Sequence, residues 1–456
     1  MCIEQYKWFG ELMVYSIIIF IVLLFTISIF DFKRVKTFDD YALAGKAQGF
    51  WPVYLSMMVS MIGASATLGV ADKVWDIGFS AFCWLGVGAI GLLLQGIFIS
   101  KKIRELNATT LPDIAEKTVG EGAKSLLSLI IAISWIGIIG AQIVSLVKIV
   151  KSVATGINEN VLIIIIAAVV ILHTMLGGQL SVLKTDMLQS GVILVGILGT
   201  FIYLYMCKGE NNQDIFNNLQ MIDSDFGYFD FVYLLFITGG TYFLGPDIIS
   251  RNIISKDGKT ARNATILAAF SIGVIGFIVT MIGMWSLYNL PVMHGENPLI
   301  YIMDKIIPTP LAVFLCLALM ATLISSADTC LINAATIIEH DLLKRNNVKE
   351  LRFIILIMGI ASLFIALVRS DIIDLLLGAY SIYSPGIVFP LLVAIVSYKK
   401  RKINKTLWLA AVILGGIMGL INSYFMIGPK YLPLLGMGLS LVLSLVSVLQ
   451  SSREKC

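Results

Sequence analysis

The sequence has 456 residues, of which 58% are hydrophobic and only 14% are charged. Soluble domains carry about 25% charged residues, so this composition excludes a soluble globular protein and indicates an integral membrane protein. The formal net charge of +4 comes from basic loops between apolar segments, and it gives no reason to expect a nucleic-acid partner.

Apolar segments long enough to cross a bilayer recur along the whole chain. A hydrocarbon core of about 30 Å requires roughly 20 residues at a rise of 1.5 Å each. Alternating strands of about ten residues are absent, so we predict an all-α fold rather than a barrel. The charged breaks divide the chain into about thirteen predicted transmembrane helices, at 12–30, 51–70, 78–99, 124–147, 160–176, 180–206, 230–250, 264–287, 308–338, 351–368, 371–397, 407–426 and 431–450.

The basic residues predict the orientation of these helices. If the N-terminus lies outside, most of the 33 Lys and Arg fall on the inner side, which fits the positive-inside rule and an odd number of spans. The inner loops are then 31–36, 100–105, 250–262, 342–352 and 398–405. We therefore expect one multi-pass domain over 1–456 in the plasma membrane, in contact with lipid, with a cytoplasmic C-terminus and no obligate protein partner.

Two predicted helices are interrupted by small residues and proline. The segment SMMVSMIGASATLGVADKVWDIG (56–78) contains Gly63 and Gly69, and FITGGTYFLGPDIIS (236–250) contains Gly245 and Pro246. Each opens a set of five predicted spans, which is typical of an inverted repeat that binds substrate and ion at the bilayer midplane. The alternative is that the glycines only permit close helix packing.

The segment ATLISSADTCLINAATIIEHD (321–341) carries a cluster of polar residues in its middle, although apolar sequence leads into it. On a helix, one stripe contains Thr322, Ser325, Ser326, Thr329, Asn333 and Thr336, and Asp328 flanks it. Such a stripe cannot face lipid, so it either joins helices or binds an ion. A carboxylate at mid-span favours an ion path or a buried pair.

Enzymatic chemistry is not expected. The three histidines and six cysteines are dispersed, without the spacing of metal ligands or of a nucleophile with its base.

Three ordered motifs resemble the sodium/solute symporters, the family that includes sodium-coupled sugar, proline, pantothenate and sialic acid transporters. They are DDYALAGKAQGFWPVYLSMMVSMIGASATLG (39–69), GGQLSVLKTDMLQSGVILVG (177–196) and ALMATLISSADTCLINAATIIEHDLL (318–343). The resemblance implies a LeuT-type five-plus-five inverted repeat over 50–397. One accessory helix (12–31) would precede this core, and two helices (406–450) would follow it.

The resemblance also implies a function, namely sodium-coupled symport that imports a small organic solute by alternating access, with sodium as the coupling ion. By motif position, the sodium ligands would be the carbonyls of Val59 and Ile62 and oxygens at Thr322, Ser325 and Ser326. Asp186 matches an acidic position on the sodium release path or at an extra sodium site. Its alternative role is that of an ordinary helix-end carboxylate in water near Lys184.

Substrate contacts are implied only by position in the fold. The candidates are Ser65, Thr67, Trp135, Gln142, Thr241, Tyr242 and Tyr383, each of which could also serve only in packing. The break GASATLG lacks the Glu or Gln with which sugar transporters bind hydroxyls, and the first core helix lacks the Asp of proline transporters. We expect a small organic solute, with an amino acid or a carboxylate preferred.

Two alternatives remain open at this point. A proton-coupled symporter of the same fold would most naturally carry the proton on Asp186 or Asp328. A transporter-like membrane sensor would use the fold to report a ligand, although such sensors usually carry a soluble signalling domain.

Overall fold

A computed structural model gives the fold, and it describes residues 2–453 apart from 155, 209–210, 292–294, 370 and 426–427. The described residues form helices without a β-strand, and a single isolated bridge joins Gln48 to Ser255. Such a chain satisfies its backbone hydrogen bonds within each helix, as a bilayer requires.

The helices of the first half follow one another with short connections. They are α1 (Cys2–Phe32), α2 (Phe38–Leu43), α3 (Phe50–Met61), α4 (Val70–Ile77), α5 (Cys83–Phe98), α6 (Ser100–Glu105), α7 (Leu111–Val119), α8 (Ala123–Val153), α9 (Glu159–Ile193) and α10 (Gly199–Cys207). Helices α8 (31 residues) and α9 (35 residues) pack against the helices that carry the predicted site.

The second half continues in the same way. Its helices are α11 (Asn212–Asn217), α12 (Tyr228–Leu244), α13 (Pro246–Ile254), α14 (Gly258–Asn289), α15 (Pro298–Tyr301), α16 (Thr309–Ile337), α17 (Val348–Val368), α18 (Ile372–Tyr383), α19 (Phe389–Ser397), α20 (Lys405–Phe425) and α21 (Leu432–Arg453).

Within the described residues, 11 helical stretches are long and apolar enough to cross a membrane. The chain is therefore a multi-pass membrane protein. The count of about thirteen stays a prediction, because α3 has only 12 residues and one 49-residue stretch, Glu159–Cys207, covers two predicted spans.

That long stretch contains a break at Gly178. Its φ of 63° and ψ of −166° are not helical, and a Cβ at this position would lie 2.8 Å from the carbonyl oxygen of Tyr41. Only glycine fits such a conformation and such an approach. The break separates the part of α9 that precedes Gly178 from the part that carries Asp186.

Both predicted interruptions are confirmed. Helix α3 ends at Met61, and Ile62 leaves the helix with φ −93° and ψ 73° before a π-helical turn, Ser65–Gly69, leads into α4. Helix α12 ends before Gly245, which is extended (φ −66°, ψ 139°). Pro246 then opens α13, a position that needs no backbone N–H donor.

Helix α16 lies at the centre of the molecule. Every residue from 318 to 337 is buried, and the helix packs against α3, α8, α9 and α13. The polar stripe of α16 therefore faces protein, where its hydroxyl groups can find partners.

The prediction of an inner loop over 250–262 is wrong at its start. The helix that Pro246 opens continues to Ile254, and Arg251 within it is only 1% exposed. Charge counting assigned this arginine to a basic loop, whereas the restarted helix carries it into the core.

Candidate functional site

The end of α3 and the middle of α16 meet through hydroxyl groups. Ser326 donates to the carbonyl oxygen of Ser60 at 2.7 Å. The hydroxyl of Ser60 lies 3.2 Å from that of Ser325 and 3.0 Å from that of Thr329. The polar stripe of α16 thus faces the last turn before the break at Ile62.

The predicted sodium ligands lie on these two helices. The amide of Ile62 donates to the carbonyl of Val59 at 3.2 Å, and the non-helical backbone at Ile62 ends the regular ladder of α3. The hydroxyl of Thr322 donates to Leu319 on its own helix at 2.7 Å. It is therefore satisfied locally, unlike Ser325, which bonds to another helix.

Asp186 is fully buried between α3 and α16. Its carboxylate accepts hydrogen bonds from Ser325 at 2.5 Å and from Ser56. Lys184 instead lies 2.5 Å from Asp31. The interpretation of Asp186 as a water-exposed carboxylate beside Lys184 is therefore wrong.

Arg251 is a cation in this cluster that the sequence analysis missed. Its guanidinium donates to Ser56 at 3.0 Å, to Ser60 at 3.1 Å and to Thr329 at 2.6 Å. It lies 3.7 Å from the carboxylate of Asp186. The available signal was Pro246, because a helix that restarts there places a residue five positions later inside the membrane.

Asp328 belongs to a different contact. It lies 2.8 Å from His173 and accepts a hydrogen bond from Thr174 at 2.5 Å, both on α9. Asp328 thus forms a buried acid–imidazole pair on a side of α16 away from Ser60. The sequence analysis missed His173 because no histidine or carboxylate is near it in the chain.

A cavity of about 40 Å³ lies between the two helix breaks. Five of the seven predicted substrate residues line it: Ser65, Trp135, Gln142, Thr241 and Tyr242. Gln142 accepts a hydrogen bond from the amide of Ala64 at 2.9 Å, and Tyr242 donates to Met61 at 3.1 Å. These side chains therefore also bind the free backbone groups of the first break.

The other two candidates do not line the cavity. Thr67 donates to Gly63 within its own turn at 3.1 Å. Tyr383 donates to the carbonyl of Leu244 at 2.5 Å, and its ring packs edge-on against Trp135 with centroids 5.0 Å apart. The adjacent Tyr380 lines the cavity instead.

A carboxylate also lines this cavity. Asp247, the second residue of α13, accepts hydrogen bonds from Trp135 at 3.0 Å and Asn333 at 3.1 Å. The thiol of Cys330 lies 3.6 Å from its other oxygen. The sequence analysis did not select Asp247, although the order Gly-Pro-Asp at a helix break was a usable signal.

The buried charges near the cavity sum to a negative value. Asp186 and Asp247 each carry a negative charge when ionised, and Arg251 supplies one positive charge. Buried charges require compensation in a low-dielectric site. The arrangement can therefore accept a cation.

Comparison with known proteins matches residues 41–415 to the model of the sodium:solute symporter family. The osmoregulated proline transporter OpuE of Bacillus subtilis (strain 168) is 26% identical over 89% of this chain and 87% of its own. A sodium/proline symporter of Staphylococcus aureus (strain JH9) is 25% identical over 79% and 76%. The sodium/glucose cotransporter of Vibrio parahaemolyticus is 22% identical over 75% and 70%.

Solved structures are similar over nearly the whole chain. A Na+-coupled sialic acid symporter in a substrate-bound outward-open state has a TM-score of 0.77 at 18% identity, covering 97% of this chain and 98% of its own. The nucleobase-cation-symport-1 transporter Mhp1 has a TM-score of 0.62 at 15% identity, over 91% and 95%. MhsT in complex with L-phenylalanine has a TM-score of 0.59 at 12% identity, over 89% and 99%. These likenesses confirm the predicted LeuT-type helical fold.

Proposed function

The chain belongs to the sodium:solute symporter family, and on this premise we propose that its sodium ion binds where α3 breaks against α16. Family membership makes the protein a sodium-coupled symporter of a small organic solute, and a transporter rather than an enzyme. The proton-coupled and sensor alternatives are accordingly not retained.

The observation that carries the proposed site is the contact of Ser325 with Asp186 beside the break. Sodium is a hard cation suited to oxygen ligands, and an interrupted helix frees backbone carbonyls for it. The proposed ligands are the carbonyls of Val59 and Ile62 and the hydroxyls of Ser325 and Ser326. Asp186 supplies the negative charge at the same place.

Thr322 contributes an oxygen in this proposal, and its hydroxyl is an optional ligand. That hydroxyl donates its proton to the carbonyl of Leu319, and its oxygen lone pairs remain available to an ion.

Coupling between ion and solute has a physical basis in shared residues. Ser60 and Ser326 belong to the hydroxyl cluster, and both also line the cavity. An ion that binds Ser326, whose hydroxyl donates to the carbonyl of Ser60, therefore fixes part of the solute site. By linkage, the solute must then raise sodium affinity by the same factor.

The remaining proposals concern organisation and direction. We propose that 50–397 forms the five-plus-five core, with 12–31 as an accessory helix and 406–450 as two further helices. Apolar side chains such as Ile19 and Phe30 on α1 are exposed, which supports contact with lipid. The basic loops support a plasma-membrane transporter with an outer N-terminus and inner C-terminus, importing solute by alternating access.

The substrate class follows less directly. The relatives above are named for proline and glucose, and the structural neighbour for sialic acid. For this chain we propose a small organic solute, either an amino acid or a carboxylate.

Thermal unfolding of the purified protein in sodium against potassium tests the ion site. A ligand that binds only the folded state stabilises it by RT ln(1 + [L]/Kd). Sodium should raise the Tm of the wild type, and the double variant Ser325→Ala with Ser326→Ala should lose this response. The control is Ser362→Ala, which removes a buried hydroxyl bonded within α17. An unchanged sodium response in the double variant would exclude the proposed site.

A further inference from the structure

We infer that Asp247 binds a protonated amine of the transported solute, so that the cargo carries a cationic nitrogen. This inference rests on the proposed function of the cavity as the solute site, and it narrows the substrate class. It depends on where the carboxylate lies, on what surrounds it and on which charges are near it.

The position of Asp247 is set by the second helix break. Gly245 is extended and Pro246 restarts the helix, so the side chain of Asp247 reaches the cavity that the two breaks enclose. Neutral donors, the indole of Trp135 and the amide of Asn333, bind one carboxylate oxygen. The other oxygen has only the thiol of Cys330 at 3.6 Å, which is a weak donor. An ionised carboxylate accepts about four hydrogen bonds, so it retains capacity for an ammonium group.

No cationic side chain lines the cavity in the part of the chain that the structure describes. Arg251 lies one turn further along α13, but its guanidinium donates to Ser60 and Thr329 and lies beside Asp186. When ionised, Asp247 therefore faces the cavity with no protein cation in direct contact, and Arg251 acts on it only as a nearby charge. A buried charge of this kind is costly unless it is paired, and a cationic solute would pair it.

The walls of the cavity suit a cation as well. Trp135, Tyr242 and Tyr380 line it, and aromatic faces attract ammonium groups through the ring quadrupole. A sugar would leave Asp247 without a cation in direct contact. A carboxylate without an amine would bring a second negative charge to the same cavity, which like-charge repulsion opposes.

Protonated amines occur both in amino acids and in simple amines, and matched ligand pairs distinguish the two. The pairs are L-alanine with L-lactate, L-phenylalanine with L-phenyllactate, and putrescine with 1,4-butanediol, with L-proline and glucose added. In each pair the amine is replaced by a hydroxyl group while the remainder is kept. The measurement is thermal unfolding of the wild-type protein in sodium with each probe.

We expect stabilisation only by probes with an amine. Stabilisation by an amino acid would identify the solute as an amino acid, and stabilisation by putrescine would identify it as a simple amine. Asp247→Asn should weaken binding of the effective amine at least about thirtyfold, since a hydrogen-bonded buried charge pair is lost. Asp247→Glu should retain part of the amine binding, because it keeps the carboxylate. Asp76→Asn, an exposed carboxylate on α4, controls for the loss of one negative charge.

Three results would overturn the inference: stabilisation by any probe that lacks an amine (lactate, phenyllactate, butanediol or glucose), no stabilisation by any amine, or amine binding by Asp247→Asn that equals that of the wild type. The wild-type comparison stands even if that variant fails to fold. The sodium response without solute reports separately on the ion site. If sodium alone does not raise the unfolding temperature of the wild type, the proposed function is excluded. If sodium does raise it and any of the three results is found, only the role of Asp247 is excluded.

Discussion

The carboxylate of Asp186 accepts a hydrogen bond from the hydroxyl of Ser325 at 2.5 Å, although 139 positions separate the two residues. This contact joins α9 to the polar stripe of α16 in a fully buried place. It sets a negative charge against the hydroxyl groups to which we assign the sodium ion.

Asp186→Asn should weaken sodium binding by at least about tenfold, because the amide keeps an acceptor but removes the charge that attracts the ion. The variant also leaves Arg251 without its counter-charge, which costs about 3–5 kcal/mol of stability. Sodium titrations of the unfolding temperature measure both quantities. A variant with unaltered sodium affinity would show that Asp186 serves only as a partner of Arg251.

Arg251→Gln should have the opposite effect on the ion. The change removes a positive charge that lies 3.7 Å from Asp186, so sodium affinity should rise roughly tenfold while stability in sodium-free buffer falls. Combining it with Asp186→Asn should recover part of the stability without recovering sodium affinity. Weaker sodium binding in Arg251→Gln would mean that the guanidinium supports the site rather than opposing the ion.

Asp328→Asn should destabilise the protein and leave its sodium dependence unchanged. Asp328 pairs with His173 at 2.8 Å, and breaking a buried pair costs about 3–5 kcal/mol. Thermal unfolding with and without sodium separates the two effects. His173→Gln should likewise lower stability and leave the sodium dependence unchanged. If sodium affinity fell together with stability, the acid–imidazole pair would have to belong to the ion site.

Lys124→Met should favour opening of the side that is cytoplasmic in the proposed orientation, called the inner side here. Lys124, at the start of α8, lies 2.9 Å from Glu116 and 3.2 Å from Asp341 beyond the end of α16. Lys124 is only 12% exposed and Asp341 is fully buried, so the loss of these ion pairs should raise the open population several-fold.

Cys330 provides the readout for that opening, because its thiol is buried and lines the cavity. Maleimide labelling of a variant that keeps only this cysteine should accelerate several-fold with Lys124→Met. Lys101→Met, which removes an exposed partner of Glu105, is the control. Equal labelling rates would show that the ion contacts do not hold the inner side closed.

The sequence predicted those features that a local pattern of residues encodes. Hydropathy marked the spans, Gly63 and Pro246 marked the two breaks, and the spacing of hydroxyl groups marked the buried stripe of α16. Each of these features lies within one helix, where periodicity is informative.

Relations between distant helices could not be predicted in the same way. Arg251 was assigned to a loop because basic residues near span ends usually lie there. The pair of Asp328 with His173 depends on the packing of α9 against α16. Thr67 and Tyr383 do not line the cavity: Thr67 donates within its own turn, and Tyr383 donates to the carbonyl of Leu244 on α12.

Direct binding of radioactive sodium to purified protein tests the central claim, that the ion lies between α3 and α16. The wild type should bind sodium saturably, with displacement by unlabelled sodium and not by potassium. The double variant Ser325→Ala with Ser326→Ala should bind at least about tenfold more weakly at an equal folded fraction, while Ser362→Ala binds as the wild type does. Wild-type sodium affinity in the folded double variant would contradict the account.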